Sequence, residues 1–299
     1  MKKAILLSFI ISLLVVGFGR NIYYVGPDKE YTSLAEVVEV SSNGDSIFIY
    51  EGTYSENIEI YKSLNINGVG KVLLEKIDEK KPLIRIKGDV KVQIDNVSFE
   101  AESIILKSTG AGLTITGCEF RTTSIGLSVN GGDVNIEKTI FEGLSNDLKA
   151  DDTFNGNGIF CMYSDNVSID DCTFIDSGTG IYSYEITNLR IHDTSMINNL
   201  TGAFLVGIEN GVIENNRFES NTVGIELAAD STVELNYNSF LKSFRYDVVL
   251  SEPDCTVCEN CGTDSFVGKL HAEGNTSDRK LFCPDCDILR TLFEEGEGG

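Results

Sequence analysis

Ile169-Asp-Asp-Cys-Thr-Phe174, Ile191-His-Asp-Thr-Ser-Met196 and Ile213-Glu-Asn-Asn-Arg-Phe218 decide the fold. Each begins on an aliphatic residue and ends five positions later on a large apolar one. The pattern extends in both directions. Phe99, Phe120, Phe141, Phe174, Met196, Phe218 and Phe240 follow one another at steps of 21, 21, 33, 22, 22 and 22. Ile94, Ile115, Ile136 and Leu235 complete the aliphatic partners. Recurrence at 20 to 50 residues marks a stacked repeat architecture.

A second mark runs in phase. Gly-apolar-x-apolar strings begin at Gly126, Gly158, Gly180, Gly202 and Gly224, at steps of 32, 22, 22 and 22. The segments between are short, alternating and rich in Ile, Val, Thr and Phe, with Asn, Asp and Gly at the breaks. That pattern predicts strands of two or three residues turning at polar corners. No stretch within 84–245 carries a helical stripe. Short strands at one coil per period, with no room for helices, give an all-β, right-handed parallel β-helix, each coil rising by ~4.8 Å. The 33-residue step is a coil with an insertion at 143–157, which leaves the solenoid as a loop on one face.

The chain begins with Lys2 and Lys3, an apolar run from Ala4 to Val16, and Gly17-Phe18-Gly19. Residues 1–19 read as a secretory signal, too short for a comfortable membrane span. The expected location is therefore periplasmic, cell-surface or extracellular, with no membrane span after cleavage. Domains are expected as signal 1–19, β-helix 20–250, and a Cys-rich module with an acidic tail over 251–299. Within Tyr31-Thr-Ser-Leu-Ala-Glu-Val-Val-Glu39, Ser33 and Glu36 form a capping box before a short amphipathic helix. Laid over the first coil, that helix supplies the polar end cap a solenoid needs.

After the helix comes Gly44-Asp-Ser-Ile-Phe-Ile-Tyr-Glu-Gly-Thr-Tyr-Ser-Glu-Asn-Ile58. A Gly-Asp-x-Ile string running into Gly-x-Tyr-x-Glu-x-Ile, followed by coils of this period, resembles the pectin-lyase-like right-handed β-helix superfamily over residues 21–250. Its nearest relatives there are carbohydrate-binding and sugar-hydrolase type domains and periplasmic copper-binding accessory β-helices. One scaffold hosts lyases, hydrolases, esterases, epimerases and binding modules, so the likeness speaks for fold more than activity.

The superfamily's enzymatic marks are mostly missing. Gly52, Tyr54 and Glu56 match the start of pectin methylesterases, but the Leu-Gly-Arg-Pro-Trp string is absent and the chain has no tryptophan. Asp170-Asp171 matches half of the polygalacturonase pattern, yet no Gly-His-Gly accompanies it, and His192 is the only histidine of the coils. Hydrolysis asks for two carboxylates flanking the bond. A corner role, bonding the local backbone, is the better reading for Asp170 and Asp171. Pectate lyases use an Arg or Lys base with calcium-binding Asp residues. Arg190 should face outward beside Ser168 and Val212, with no acidic cluster evident, and no catalytic residue is assigned.

The alternation also predicts an exposed row. The x of each Gly-apolar-x-apolar string points outward, which places Ser128, Phe160, Tyr182, Phe204 and Glu226 in line, with Met162, Tyr184 and Val206 two residues further on. Phe160, Tyr182, Phe204 and Tyr184 are thus candidate carbohydrate-stacking residues. The competing expectation, which the polar outward rows elsewhere favour (Gln93, Thr114, Asn135, Ser168), is that the 143–157 loop or the C-terminal tail covers them.

Eight cysteines divide in two. Cys118, Cys161 and Cys172 fall at core phases and read as buried thiols, with Cys118 and Cys172 two coils apart, roughly 10 Å, beyond disulfide reach. Cys258, Cys261, Cys283 and Cys286 form two Cys-x-x-Cys knuckles, with Cys255 as an alternative ligand. Thiolates so spaced converge on one tetrahedral metal. The pair resembles a zinc ribbon, and its Cys-Pro-x-Cys turn a rubredoxin-like site. A structural Zn is expected, with disulfides as the alternative in an oxidising compartment. Asp147, Asp151 and Asp152 offer carboxylates for Ca, though a solvated acidic loop is the simpler reading.

With 46 acidic and 24 basic residues, the formal charge is −22. That excludes nucleic acid as a partner and disfavours polyanions not bridged by calcium. The composite expectation is an exported, non-catalytic protein that binds polysaccharide or an envelope protein. A polysaccharide lyase or hydrolase with an unrecognised site, and a periplasmic metal-handling accessory, are the alternatives.

Overall fold

A computed structural model describes residues 20–78, 80–144, 156–228, 230–251 and 268–278. The expected signal (1–19), the three loop aspartates, and Cys255, Cys258, Cys261, Cys283 and Cys286 lie outside the described residues. Among the described residues no helix is long and apolar enough to cross a membrane.

The chain winds into a parallel β-helix with three sheets along its length, every strand pairing with its counterpart one coil away. Phe99, Phe120, Phe141, Phe174, Met196, Phe218 and Phe240 stand in unbroken register on one sheet. All are at most 1% exposed. Successive rings stack with centroids 4.7, 4.8 and 4.9 Å apart from Phe99 to Phe174. Ring contact at this distance follows from the rise of one coil. Strands are longer than the sequence pattern suggested, three to six residues in most coils. Two continuous strands, Thr179–His192 and Thr201–Glu214, run through a corner. A single left-handed residue makes that bend, Glu185 at φ 50° and Gly207 at φ 62°, so hydrogen bonding resumes at once.

The corner before each phenylalanine repeats the same device. Asn96, Gly117, Lys138, Asp171, Asp193, Asn215 and Tyr237 all adopt positive φ, and the next residue turns inward. Cys118, Thr139, Cys172, Thr194, Asn216 and Asn238 occupy that inward position, each at most 3% exposed. Asn216 Nδ2 donates to the Ile191 carbonyl at 2.9 Å, and its Oδ1 accepts the Thr194 N–H at 2.9 Å. Buried corner backbone is thereby satisfied by an internal amide ladder. Burial pushes the Cys118 and Cys172 thiols up to about 12 and Cys161 to about 11, so these are packing residues, not nucleophiles.

The insertion does not disturb the stack. Phe141 pairs with Phe174, and Ile125 with Asn157, across it, and Gly156 returns beside Gly143.

The helix Leu34–Val40 caps the first coil by burying Leu34, Val37 and Val38. Ser33 Oγ accepts the Glu36 N–H at 3.2 Å, as the capping pattern predicted. The carboxylate at this end is Glu56, 20 residues beyond the expected Glu36. It accepts Leu34 N–H at 3.0 Å, Ala35 N–H at 2.7 Å and the Ser33 hydroxyl at 3.0 Å. Lys62 Nζ closes the other end on the carbonyls of Val38, Glu39 and Ser41, at 3.0, 2.7 and 2.7 Å. Opposite charges thus sit at the ends of the helix dipole that favour them. Tyr54, buried, donates to the Tyr50 carbonyl at 2.6 Å. The Tyr and Glu of the Gly-x-Tyr-x-Glu string are structural here.

Candidate functional site

The residues lying outward on the sheet that carries the Ile94–Leu235 column build a groove. Asn65, Gln93, Thr114, Asn135, Ser168, Arg190 and Val212 are consecutive register partners. Their row covers seven coils, roughly 29 Å at the interstrand rise. Along one edge a second polar row comprises Lys91, Gly112, Asp133, Asn166, Asn188 and Asn210. Together they enclose an open groove of about 810 Å³. Each coil adds hydrogen-bonding groups, because strand alternation sends the flanking aliphatics inward and these side chains outward.

The edge row is self-organised. Asn210 Nδ2 donates to Asn188 Oδ1 at 3.3 Å, Asn188 Nδ2 to Asn166 Oδ1 at 3.0 Å, and Asn166 Nδ2 to Asp133 Oδ1 at 2.8 Å. These bonds point the amides one way along the axis. Sequence reasoning named Gln93, Thr114, Asn135 and Ser168 only as polar rows. It missed the ladder, although Asn166, Asn188 and Asn210 recur at steps of 22 and 22.

The expected aromatic row exists. Ser128, Phe160, Tyr182, Phe204 and Glu226 are register partners. Phe160 and Tyr182 stack at 4.7 Å and 16°, and Phe204 meets Tyr182 edge-on at 5.3 Å and 90°. Phe160 and Tyr182 therefore turn a ring face toward each other. Tyr184 joins Tyr163, Asp165, Glu185, Glu209 and Asp230 around a smaller corner hollow of about 510 Å³. Toward the C-terminus the outward rows become sealed: Val206 and Val249 are 3% and Glu226 7% exposed. Residues 145–155 and most of the C-terminal tail, the expected covers, lie outside the described residues. Desolvation raises the Glu226 carboxyl to about 7, only partly opposed by the Ser251 hydroxyl donating at 2.7 Å.

Asp170 and Asp171 separate. Asp171 makes the left-handed corner, while Asp170 Oδ1 lies 3.5 Å and Asp193 Oδ2 3.2 Å from His192 Nδ1. This is the grouping among the described residues with metal-ligating spacing. Nε2 of His192 faces the Asn215 amide at 3.2 Å, so both ring nitrogens have a polar neighbour. Arg190 projects from the groove floor between Ser168 and Val212, as expected.

The family described as right-handed β-helix region matches residues 102–261. A cell surface glycoprotein of Methanothermus fervidus is 27% identical over 123 residues, covering 40% of this chain and 20% of its own length. The chain thus spans about a fifth of that relative. Among solved structures, the PL6-family alginate lyase AlyGC aligns with a TM-score of 0.51 at 12% identity, over 87% of this chain and 40% of its own. The periplasmic alginate epimerase AlgG aligns at 0.47 and 13% identity, over 87% and 81%. At 12% identity the likeness to the lyase speaks for the fold alone.

Proposed function

The chain belongs to the right-handed β-helix family, and on that footing we propose that it is a non-catalytic cell-surface protein that binds a polysaccharide lying along the solenoid axis. The observation that carries this reading is the polar groove, whose hydrogen-bonding groups repeat at the coil spacing over seven coils. Ligand geometry then favours one polymer class. Side chains on one face of an extended peptide recur every ~6.7 Å, against a coil rise of ~4.8 Å, so a peptide loses register within a few coils. A hexopyranose ring is about one coil spacing long, and its hydroxyls both donate and accept, as carboxamides do.

Binding rather than cleavage is favoured by the lining. Among the described residues one carboxylate, Asp133, borders the groove, and it already accepts from Asn166. A hydrolase needs an acid and a base or nucleophile on either side of the bond. The glycoprotein relative is consistent with a surface location. The aromatic row is a secondary surface in this proposal, since its rings are partly buried and packed against one another.

The test is retardation of the full-length protein in gels containing soluble glycans. Ser168→Trp, which fills the middle of the groove floor, is expected to abolish retardation, while a Phe160/Tyr182/Phe204 triple alanine variant retains it. The opposite pattern would move the ligand to the aromatic face. Release of reducing ends or unsaturated products by the wild-type chain would overturn the non-catalytic reading.

A further inference from the structure

The groove floor is uniform except at one coil. Asn65, Gln93, Thr114, Asn135 and Ser168 present neutral groups, and the next position presents the guanidinium of Arg190. Other arginines of the coils have partners, Arg245 lying over the Tyr246 ring at 5.3 Å. Arg85 lies 4.0 Å from Glu59, Arg121 is 3.0 Å from both Glu100 and Glu142, and Arg217 pairs with Glu219. No ion pair or side-chain hydrogen bond engages Arg190 among the described residues. In a chain of formal charge −22, with carboxylates available in excess, a groove arginine that has acquired none is unusual. Its planar fork suits bidentate capture of a carboxylate or sulfate.

The rest of the lining bounds the charge density of the ligand. Lys91, the other cation lining the groove, sits on the edge row four coils away, roughly 19 Å along the axis. Between them lie carboxamides, hydroxyls and Asp133. A polyuronate would place a carboxylate opposite almost every coil, several of them facing neutral amides and one facing Asp133, within the long-range field of an acidic protein. A wholly neutral glycan would leave Arg190 unused. We propose that the groove reads a sparsely anionic glycan, a mostly neutral backbone whose isolated acidic substituent docks on Arg190. This rests on the polysaccharide-binding reading above and narrows its substrate class.

The experiment measures affinity of the full-length chain for three probes, namely glucuronoxylan, unsubstituted xylan and polygalacturonate, at physiological ionic strength. Wild type is compared with Arg190→Gln and Ser168→Trp, each first checked for an unchanged thermal midpoint. The expected order is glucuronoxylan tightest. Arg190→Gln should lose about tenfold or more on that probe and nothing on xylan, as expected for one charge-assisted contact. Ser168→Trp should lose both. Equal affinity of Arg190→Gln and wild type for glucuronoxylan, with Ser168→Trp still inactive, overturns the proposal while leaving the groove as the binding site. Tightest binding to polygalacturonate also overturns it. If Ser168→Trp binds every probe as wild type does, the groove reading itself fails.

Discussion

Glu226 offers the sharpest check on the packing of the outward rows. It follows Phe204 in register, is 7% exposed, and is contacted by the Ser251 hydroxyl at 2.7 Å. Desolvation lifts its pKa from 4.5 to about 7, with the Ser251 bond opposing. The folded state therefore holds the proton more tightly than the unfolded chain. By linkage, the carboxyl's contribution is most favourable below pH 4.5, declines between pH 4.5 and about 7, and is flat above. At 1.36 kcal/mol per pH unit, the loss is about 3 kcal/mol. Gln in this place keeps an acceptor for Ser251 and removes the charge. Urea unfolding of wild type and Glu226→Gln at pH 4, 6 and 8 isolates the effect, because every other titrating group cancels in the difference. The variant should match wild type at pH 4 and exceed it by about 3 kcal/mol at pH 8. A difference that does not change with pH would mean that the carboxyl is solvated in solution, and the sealed-row argument would fail with it.

Glu56→Ala removes the acceptor for two backbone N–H groups and a hydroxyl at the helix start. We expect a loss of about 1–3 kcal/mol in stability and faster amide exchange confined to residues 34–40. Phe174→Ala should cost about 3–5 kcal/mol, as measured by denaturant midpoint, because the ring is packed face-on against Phe141. Gly180→Ala brings a methyl within 2.6 Å of the Gly202 carbonyl oxygen and should destabilise by about 1–3 kcal/mol. Peptide-mapped alkylation under native conditions should leave Cys118, Cys161 and Cys172 unlabelled. Metal analysis of natively purified protein should find one zinc per chain if Cys258, Cys261, Cys283 and Cys286 form the proposed ribbon, and two disulfides with no metal would refute that assignment.

Legibility in the sequence depended on how local each cause was. The phenylalanine column and the inward cysteines were readable because one residue per coil repeats the same burial. The helix start at Ser33 was readable for the same reason, its partner being three residues away. The capping roles of Glu56 and Lys62 escaped notice because a helix end is closed there by a neighbouring coil, at separations of 21 to 24 residues. The groove was visible only as polar letters. Its concavity arises from the path of seven coils, and exposed amides in sequence look like any solvated face. Glu226 shares its outward phase with Ser128, and nothing in the repeat distinguishes a sealed position from a wet one.

The undisturbed register across the insertion has a consequence for how such a protein changes over time. Eleven residues separate Leu144 from Gly156, and the coils on either side of them keep their pairing. Gain or loss of one whole 22-residue turn should be equally silent to its neighbours, since each turn is held mainly by the two it touches. The polymer contact then behaves like a measuring tape. Duplication lengthens the tape and multiplies the sugars gripped while every mark keeps its spacing, so reach and specificity can evolve separately.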